Sequence, residues 1–179
     1  RSARRCQIIN NFACMEDSRK KIFVTGGTGL VGSHLLFRLV GSGAIVRAAI
    51  RATSDTEKIR KVFGYYSEQA DNMFRSIEFI ECNLTDNQKL INILSDTSQV
   101  YHCAAAVSFN NSKSEELIQN NVSVTRSVID AALAAGVNKL CHVSSVAALA
   151  PSDGNETITE AHYNSTALSK SAYAKSKYV

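Results

Sequence analysis

The chain of 179 residues has a single proline, no C-x-x-C pair, no apolar stretch near membrane-spanning length and no basic stripe. Each absence excludes a class. A transmembrane helix needs ~20 consecutive apolar residues, so no membrane role is expected. The five cysteines, Cys6, Cys14, Cys82, Cys103 and Cys141, are scattered, with no histidine set beside them at zinc spacing. They read as reduced, mostly buried thiols of an intracellular, cytoplasmic protein, and no metal is expected. Nucleic acid is excluded as a partner because the net charge of +4 is concentrated at one end. Residues 1–20 carry five Lys/Arg against two acids and the remainder fifteen against fourteen, with no interleaved aromatics. There is no internal repeat or low-complexity tract, and 45% hydrophobic content suits one α/β domain with one good core.

Residues 1–20 form a basic extension, expected to be disordered or non-native. Asn10 and Asn11 interrupt what would be the apolar core of a secretory signal, and a mitochondrial presequence has little support. Met15, leading through charged residues into an apolar run, reads as the natural start. The domain proper is placed at 21–179.

What is present begins with glycine. Lys21 to Thr25 is a short β-rich run, TGGTGLVG follows from Thr25 to Gly32, and then Leu35, Leu36, Leu39 and Val40 recur at helical spacing. Strand, turn and helix in that order make a phosphate cradle: Gly26 for the tight turn, Gly29 for close approach of the phosphates, Gly32 for close packing of helix on strand. The helix N-terminus adds free N–H groups and the positive end of its dipole. A second strand over Ala44 to Ile50 ends at Arg51, 19 residues beyond Gly32. An acidic residue near that position bonds a ribose 2′-OH, whereas arginine accommodates a 2′-phosphate, so NADP is expected as cofactor, with NAD as the alternative. No carboxylate follows in sequence until Asp55.

Strand and helix signals then alternate. A helical stretch, one helix or two, is expected over Glu57 to Arg75, strands over Ile77 to Cys82 and Val100 to Cys103, and a helix over Asn87 to Leu94 capped by Thr85 or Asp86. A long helix follows from Ser114 to Ala135, with Leu117, Val124, Val128, Ile129 and Leu133 on its buried side and Gly136 as its stop; Lys139 to Ser144 is a fifth strand. This order predicts a doubly wound, mostly parallel sheet of the Rossmann type, with ligands outside the carboxyl ends of the strands. Far downstream, Tyr173 and Lys177 sit one helical turn apart on one face, a pair suited to passing a proton to a carbonyl that receives hydride.

Five ordered motifs give the chain its resemblance to the extended short-chain dehydrogenase/reductases of the NAD-dependent epimerase/dehydratase type. T-G-x-x-G-x-x-G is met by Thr25, Gly26, Gly29 and Gly32, and H-x-A-A by His102, Cys103, Ala104 and Ala105. N-V-x-G-T appears as Asn121 to Thr125 with Val124 in place of glycine, the serine strand as Val143-Ser144-Ser145, and Y-x-x-x-K as Tyr173 to Lys177. The resemblance implies Tyr173 as proton donor, and Lys177 as the residue that holds the nicotinamide ribose and lowers the tyrosine pKa. It implies Ser145 as the group orienting the reacting oxygen and Asn121 as the holder of a relay water. Thr25, Gly26, Thr28, Gly29, Leu30, Gly32, Arg51, Cys103, Ala104 and Ala105 would line the cofactor. Asn83 and Leu84 would meet the adenine, although the family usually has aspartate where Asn83 stands.

Three functions follow as expectations. The first is reduction of a small-molecule carbonyl, or oxidation of the alcohol, with NADP; the second is a nucleotide-sugar epimerase using NAD; the third is a non-catalytic dinucleotide sensor, which the Ser145, Tyr173 and Lys177 set argues against. Ala148 to Pro151 replaces the Tyr-Gly common in epimerases and leans toward reductases such as dihydroflavonol or hydroxysteroid enzymes. The chain is read as an amino-terminal fragment ending before the substrate lobe, expected to be inactive alone, with a homodimer as one assembly open to the full-length protein.

Overall fold

The computed structural model describes residues 21–107, 114–149, 157–159 and 171–178. The basic extension at 1–20, with Cys6 and Cys14, lies outside these residues, as do Ala150 and Pro151. Five strands, β1 (Lys21–Thr25), β2 (Val46–Ile50), β3 (Glu78–Glu81), β4 (Thr97–His102) and β5 (Lys139–His142), form one parallel sheet in the order β3-β2-β1-β4-β5. The chain winds outward twice from β1, as the alternating pattern predicts. Helices α1 (Leu30–Gly41), α2 (Glu57–Gly64) and α3 (Ala70–Arg75) precede β3, α4 (Asn87–Leu94) precedes β4, and α5 (Ser114–Ala134) precedes β5. A 3₁₀ turn over Val146–Ala148 and α6 (Ala172–Tyr178) complete the described elements.

Side chains alternate between two cores because successive strand residues point to opposite faces. Ile22 and Val24 of β1 pack with Leu36, Leu39, Ile59 and Phe63, whereas Phe23 between them packs with Leu90, Leu94, Val100 and Val128. Burial on both faces explains why β1 reads as a continuous apolar run. Asp86 caps α4, its carboxylate accepting from the Lys89 N–H at 3.1 Å, and Gly136 ends α5 at φ +70°.

Two expectations need correction. β4 starts at Thr97, three residues earlier than its apolar stretch suggests, because Thr97 and Ser98 are buried in the pairing with β1 despite their hydroxyls. On α5, Ile129 and Leu133 are exposed, and the buried stripe is Leu117, Asn121, Val128, Ala131 and Ala132. That stripe keeps 3.6-residue periodicity but is filled by an asparagine and alanines, so hydrophobicity alone selects the neighbouring face.

At the amino ends of the strands, Arg47 joins Glu78 and Asp96 in ion pairs and also donates to the Ile93 carbonyl at 2.9 Å. Lys21 pairs with the same Asp96 at 3.0 Å. Among the described residues no helix is long and apolar enough to cross a membrane, and no His/Cys/Asp/Glu group is arranged to hold a metal.

Candidate functional site

The first turn after β1 is shaped by contacts a side chain would forbid. Gly26 sits at φ +70°, and a Cβ there would lie 2.6 Å from the Ala104 nitrogen and 2.7 Å from the Cys103 carbonyl carbon. Gly32 is tighter still: its Cβ would stand 2.2 Å from the Gly26 carbonyl oxygen. Gly32 therefore closes the helix onto the turn itself. Gly29 opens α1 with no side-chain cap and no acid in the first turn, so the first N–H groups of the helix carry its positive dipole end unneutralised.

In front of this turn is a cavity of about 660 Å³. Gly26, Thr28 and Gly29 form one wall; Arg51 and Ser54 come from the end of β2, Glu81, Asn83 and Leu84 from the end of β3, Cys103 to Ala106 from the exit of β4, and Asn120, Asn121 and Val124 from α5. Ten of the residues expected at the site line it: Gly26, Thr28, Gly29, Arg51, Asn83, Leu84, Cys103, Ala104, Ala105 and Asn121. Leu30, which is exposed, and the buried Gly32 and Thr25 do not line it. Ser145, Tyr173 and Lys177 are not on this wall.

The structure adds charge that the sequence order concealed. Parallel register places Glu81 beside Ile50, so a carboxylate does line the cavity near Arg51, with Lys89 joining from α4. Arg51 is exposed, its backbone held in a turn in which the Arg51 N–H donates to Ser54 Oγ at 2.9 Å. Asn83 Oδ1 already accepts from the Thr85 N–H at 3.1 Å and the Thr85 hydroxyl at 2.9 Å. Both carbonyl lone pairs are engaged, so an adenine amine would have to displace one of these bonds.

Beneath the β4 exit runs a buried polar chain. The Ala104 N–H donates to Thr25 Oγ1 at 3.2 Å, and the Thr25 hydroxyl is hydrogen-bonded to His102 Nδ1 at 2.7 Å. His102 is 1% exposed, and its Nε2 is hydrogen-bonded to Thr125 Oγ1 at 3.2 Å. Burial, followed by the nearby His142 and Lys177, pushes the His102 pKa down to about 4. His142 stacks on His102 with ring centroids 5.2 Å apart, and its buried Nδ1 has no hydrogen-bond partner. Thr25 is thus spent on β4; Thr125, the last residue of the N-V-x-G-T match, joins it through His102, and His142 is brought alongside by β5.

Helix α6 reaches this region from the other side. The Lys177 ammonium donates to the Val143 carbonyl at 2.8 Å and lies 5.9 Å from the centroid of the Tyr173 ring. Burial lowers the Lys177 pKa and is partly opposed by Cys103, while burial raises the Cys103 thiol to about 11. Ser145 caps the 3₁₀ turn, accepting from the Ala147 N–H at 3.1 Å, and α6 packs against that turn; Ser144 is exposed. Asn121 is 5% exposed and its amide is committed to protein: Oδ1 accepts from the Ala106 N–H at 2.8 Å, and Nδ2 donates to the Ala106 carbonyl at 2.9 Å and to Ser176 Oγ at 3.0 Å. The expected relay water is left with the second lone pair of Oδ1.

Comparison with known proteins agrees with this geometry. Residues 22–179 match the profile of the NAD dependent epimerase/dehydratase family. The chain is 32% identical over 126 residues to sterol demethylase protein B of Methylococcus capsulatus, covering 70% of this chain and 34% of that protein. It is 29% identical over 132 residues to a dihydroflavonol 4-reductase of Callistephus chinensis, covering 73% and 35%. The chain thus spans about a third of the length of these two relatives. Among solved structures, Gre2 of Candida albicans in complex with NADPH shares the fold, with a TM-score of 0.70 at 22% identity over 89% of this chain and 50% of that one.

Proposed function

The chain belongs to the NAD dependent epimerase/dehydratase family, and from that premise we propose that it is the dinucleotide-binding part of an NADP-dependent reductase acting on a small carbonyl substrate. The residues present fit the cofactor. A Cβ would fill the cradle at Gly26, the N-terminus of α1 carries no acidic neutraliser, and the cavity in front has the size of a cofactor site. Gly26, Thr28 and Gly29 would hold the pyrophosphate, Arg51 a 2′-phosphate, and Ala104 to Ala106 the flank of the nicotinamide half. When bound, the dinucleotide supplies the hydride.

The chain's own residues supply the proton and its placement. Tyr173 donates from its hydroxyl to the substrate oxygen. Lys177 uses one of its three N–H bonds on the Val143 carbonyl and keeps two for the ribose. Ser145, with one lone pair already used by the Ala147 N–H, has its proton free for the same substrate oxygen. The observation that carries this reading is the position of Lys177: an ammonium on α6, held on the Val143 carbonyl just beyond β5 and set over the ring of Tyr173.

The test is a titration of the chain with NADPH and NADH by intrinsic and nucleotide fluorescence, repeated with Arg51→Asp. Loss of an NADPH preference on the order of tenfold or more is expected, the weight of one charge pair reversed in sign. An unchanged ratio would refute the role of Arg51. In the full-length protein, Tyr173→Phe should abolish net NADPH consumption while cofactor binding persists. Redox-neutral isomerisation with retained cofactor would replace the reductase reading with an epimerase.

A further inference from the structure

The hydrogen bonds of Asn121 join two parts of the site that are otherwise separate. Ala106, on the cavity wall, gives both its backbone groups to the Asn121 amide. An N–H can only donate to Oδ1 and a carbonyl can only accept from Nδ2, so Ala106 fixes the amide orientation without ambiguity. The second Nδ2 proton goes to Ser176 Oγ at 3.0 Å, and the Ser176 hydroxyl donates onward to the Tyr173 carbonyl at 2.8 Å. Ser176 is 7% exposed, next to Lys177 and three residues after Tyr173. The Ser176 hydroxyl is thus held by one donated and one accepted bond, and it does not line the cavity.

We propose that Ser176 is a positioning residue: through Asn121 it ties the helix carrying Tyr173 and Lys177 to the cavity wall at Ala106, so that a dinucleotide seated on that wall tightens the catalytic helix. The proposal rests on the cofactor reading above and adds what that reading lacks, a route by which occupancy of the cavity reaches residues that do not line it. Without the clamp, Lys177 alone remains among the side-chain hydrogen bonds that tie α6 to the rest of the described residues. Lys177 would then have to position itself and serve the reaction at once. Coupling of this kind is reciprocal: whatever factor the dinucleotide adds to the docking of α6, docked α6 adds to dinucleotide affinity.

Amide hydrogen exchange of the chain, with and without NADPH, reads the coupling directly. In the wild type, NADPH should slow exchange in residues 172–178 on the order of tenfold, the effect of one charge-free buried hydrogen-bond set becoming populated. Ser176→Ala should lose that protection, and its NADPH dissociation constant should rise by no more than the same factor. Ser176→Thr keeps the hydroxyl and should keep the protection. Unchanged exchange in β1 and α4 reports that each variant is folded. Protection that persists in Ser176→Ala, that is missing in Ser176→Thr, or that is missing in a wild type that binds NADPH, overturns the clamp and leaves the cofactor reading standing. Failure of the wild type to bind NADPH at all overturns both.

Discussion

His102 gives the sharpest test of how the carboxyl end of the sheet is built, because its neutrality is a property of the folded state alone. In the unfolded chain its pKa returns to the ordinary 6.5, and in the fold burial holds it down to about 4. The sign follows from proton counting. Between these two values the unfolded state binds a proton that the folded state refuses, so stability falls as pH drops from 6.5 towards 4 and loses nothing more to this group below that. The full window corresponds to about 3 kcal/mol, a large share of what holds an ordinary domain. His142, depressed by burial and by Lys177, acts in the same direction below 6.5. The carboxylates held low by ion pairs, such as Asp96 between Lys21 and Arg47, lose their contribution only below the ordinary 3.8, so their acid sensitivity lies under the histidine window.

The assay is a set of urea unfolding curves at constant ionic strength between pH 7.5 and 4.5, compared with His102→Gln. Glutamine carries both an acceptor and donors to meet the Thr25 and Thr125 hydroxyls, without a titrating proton. The wild type should lose stability steeply across the window, and the variant should show a slope shallower by the His102 contribution. Equal slopes would refute the buried neutral imidazole. So would a C2–H proton resonance of His102 titrating near 6.5 in the folded protein.

Three further outcomes test other parts of the structure. Gly32→Ala should destabilise by about 3 kcal/mol or more by thermal or urea unfolding, since the added methyl meets the Gly26 carbonyl at 2.2 Å, backbone that cannot yield; Gly64→Ala, helical with nothing within 4 Å, should be neutral or mildly stabilising. Arg47→Ala should cost about 2 kcal/mol at low salt by the same measurement, because it removes a carbonyl bond to Ile93 and leaves Glu78 and Asp96 with Lys21 as their shared cation. Glu81→Gln should strengthen NADPH binding severalfold with less effect on NADH, the reverse of Arg51→Asp, and a variant with identical NADPH and NADH constants would remove Glu81 from the cofactor cavity.

The order of elements was legible because the signals were local. The glycine turn, the Asp86 cap and the Gly136 stop each need only a few neighbouring residues to specify a conformation, and the structure places all three where the pattern does. What stayed hidden depends on pairing across the sheet. Glu81 becomes a neighbour of Arg51's strand only through the β2–β3 register, and His142 stacks on His102 only because β5 aligns with β4. The face of α5 was misread for a different reason. Its packing stripe is chosen by how closely the helix approaches the sheet, which favours Ala131 and Ala132 over the larger Ile129 and Leu133, and by an asparagine whose burial is compensated hydrogen bond by hydrogen bond.

The two ends of the sheet solve opposite electrostatic problems. At the amino ends Lys21 and Arg47 neutralise Glu78 and Asp96 in a closed network, which removes two carboxylates from play. At the carboxyl ends the buried polar groups are neutral, the imidazole of His102 included, and Arg51, Lys89 and Lys177 enter no ion pair among the described residues. With the uncapped start of α1, the cavity lining holds the cations Arg51 and Lys89 and one carboxylate, Glu81. A protonated His102 would add a further cation at a position only 1% exposed beneath the β4 exit, which burial disfavours. Keeping that imidazole neutral leaves Arg51 and Lys89 as the cations on the cavity lining.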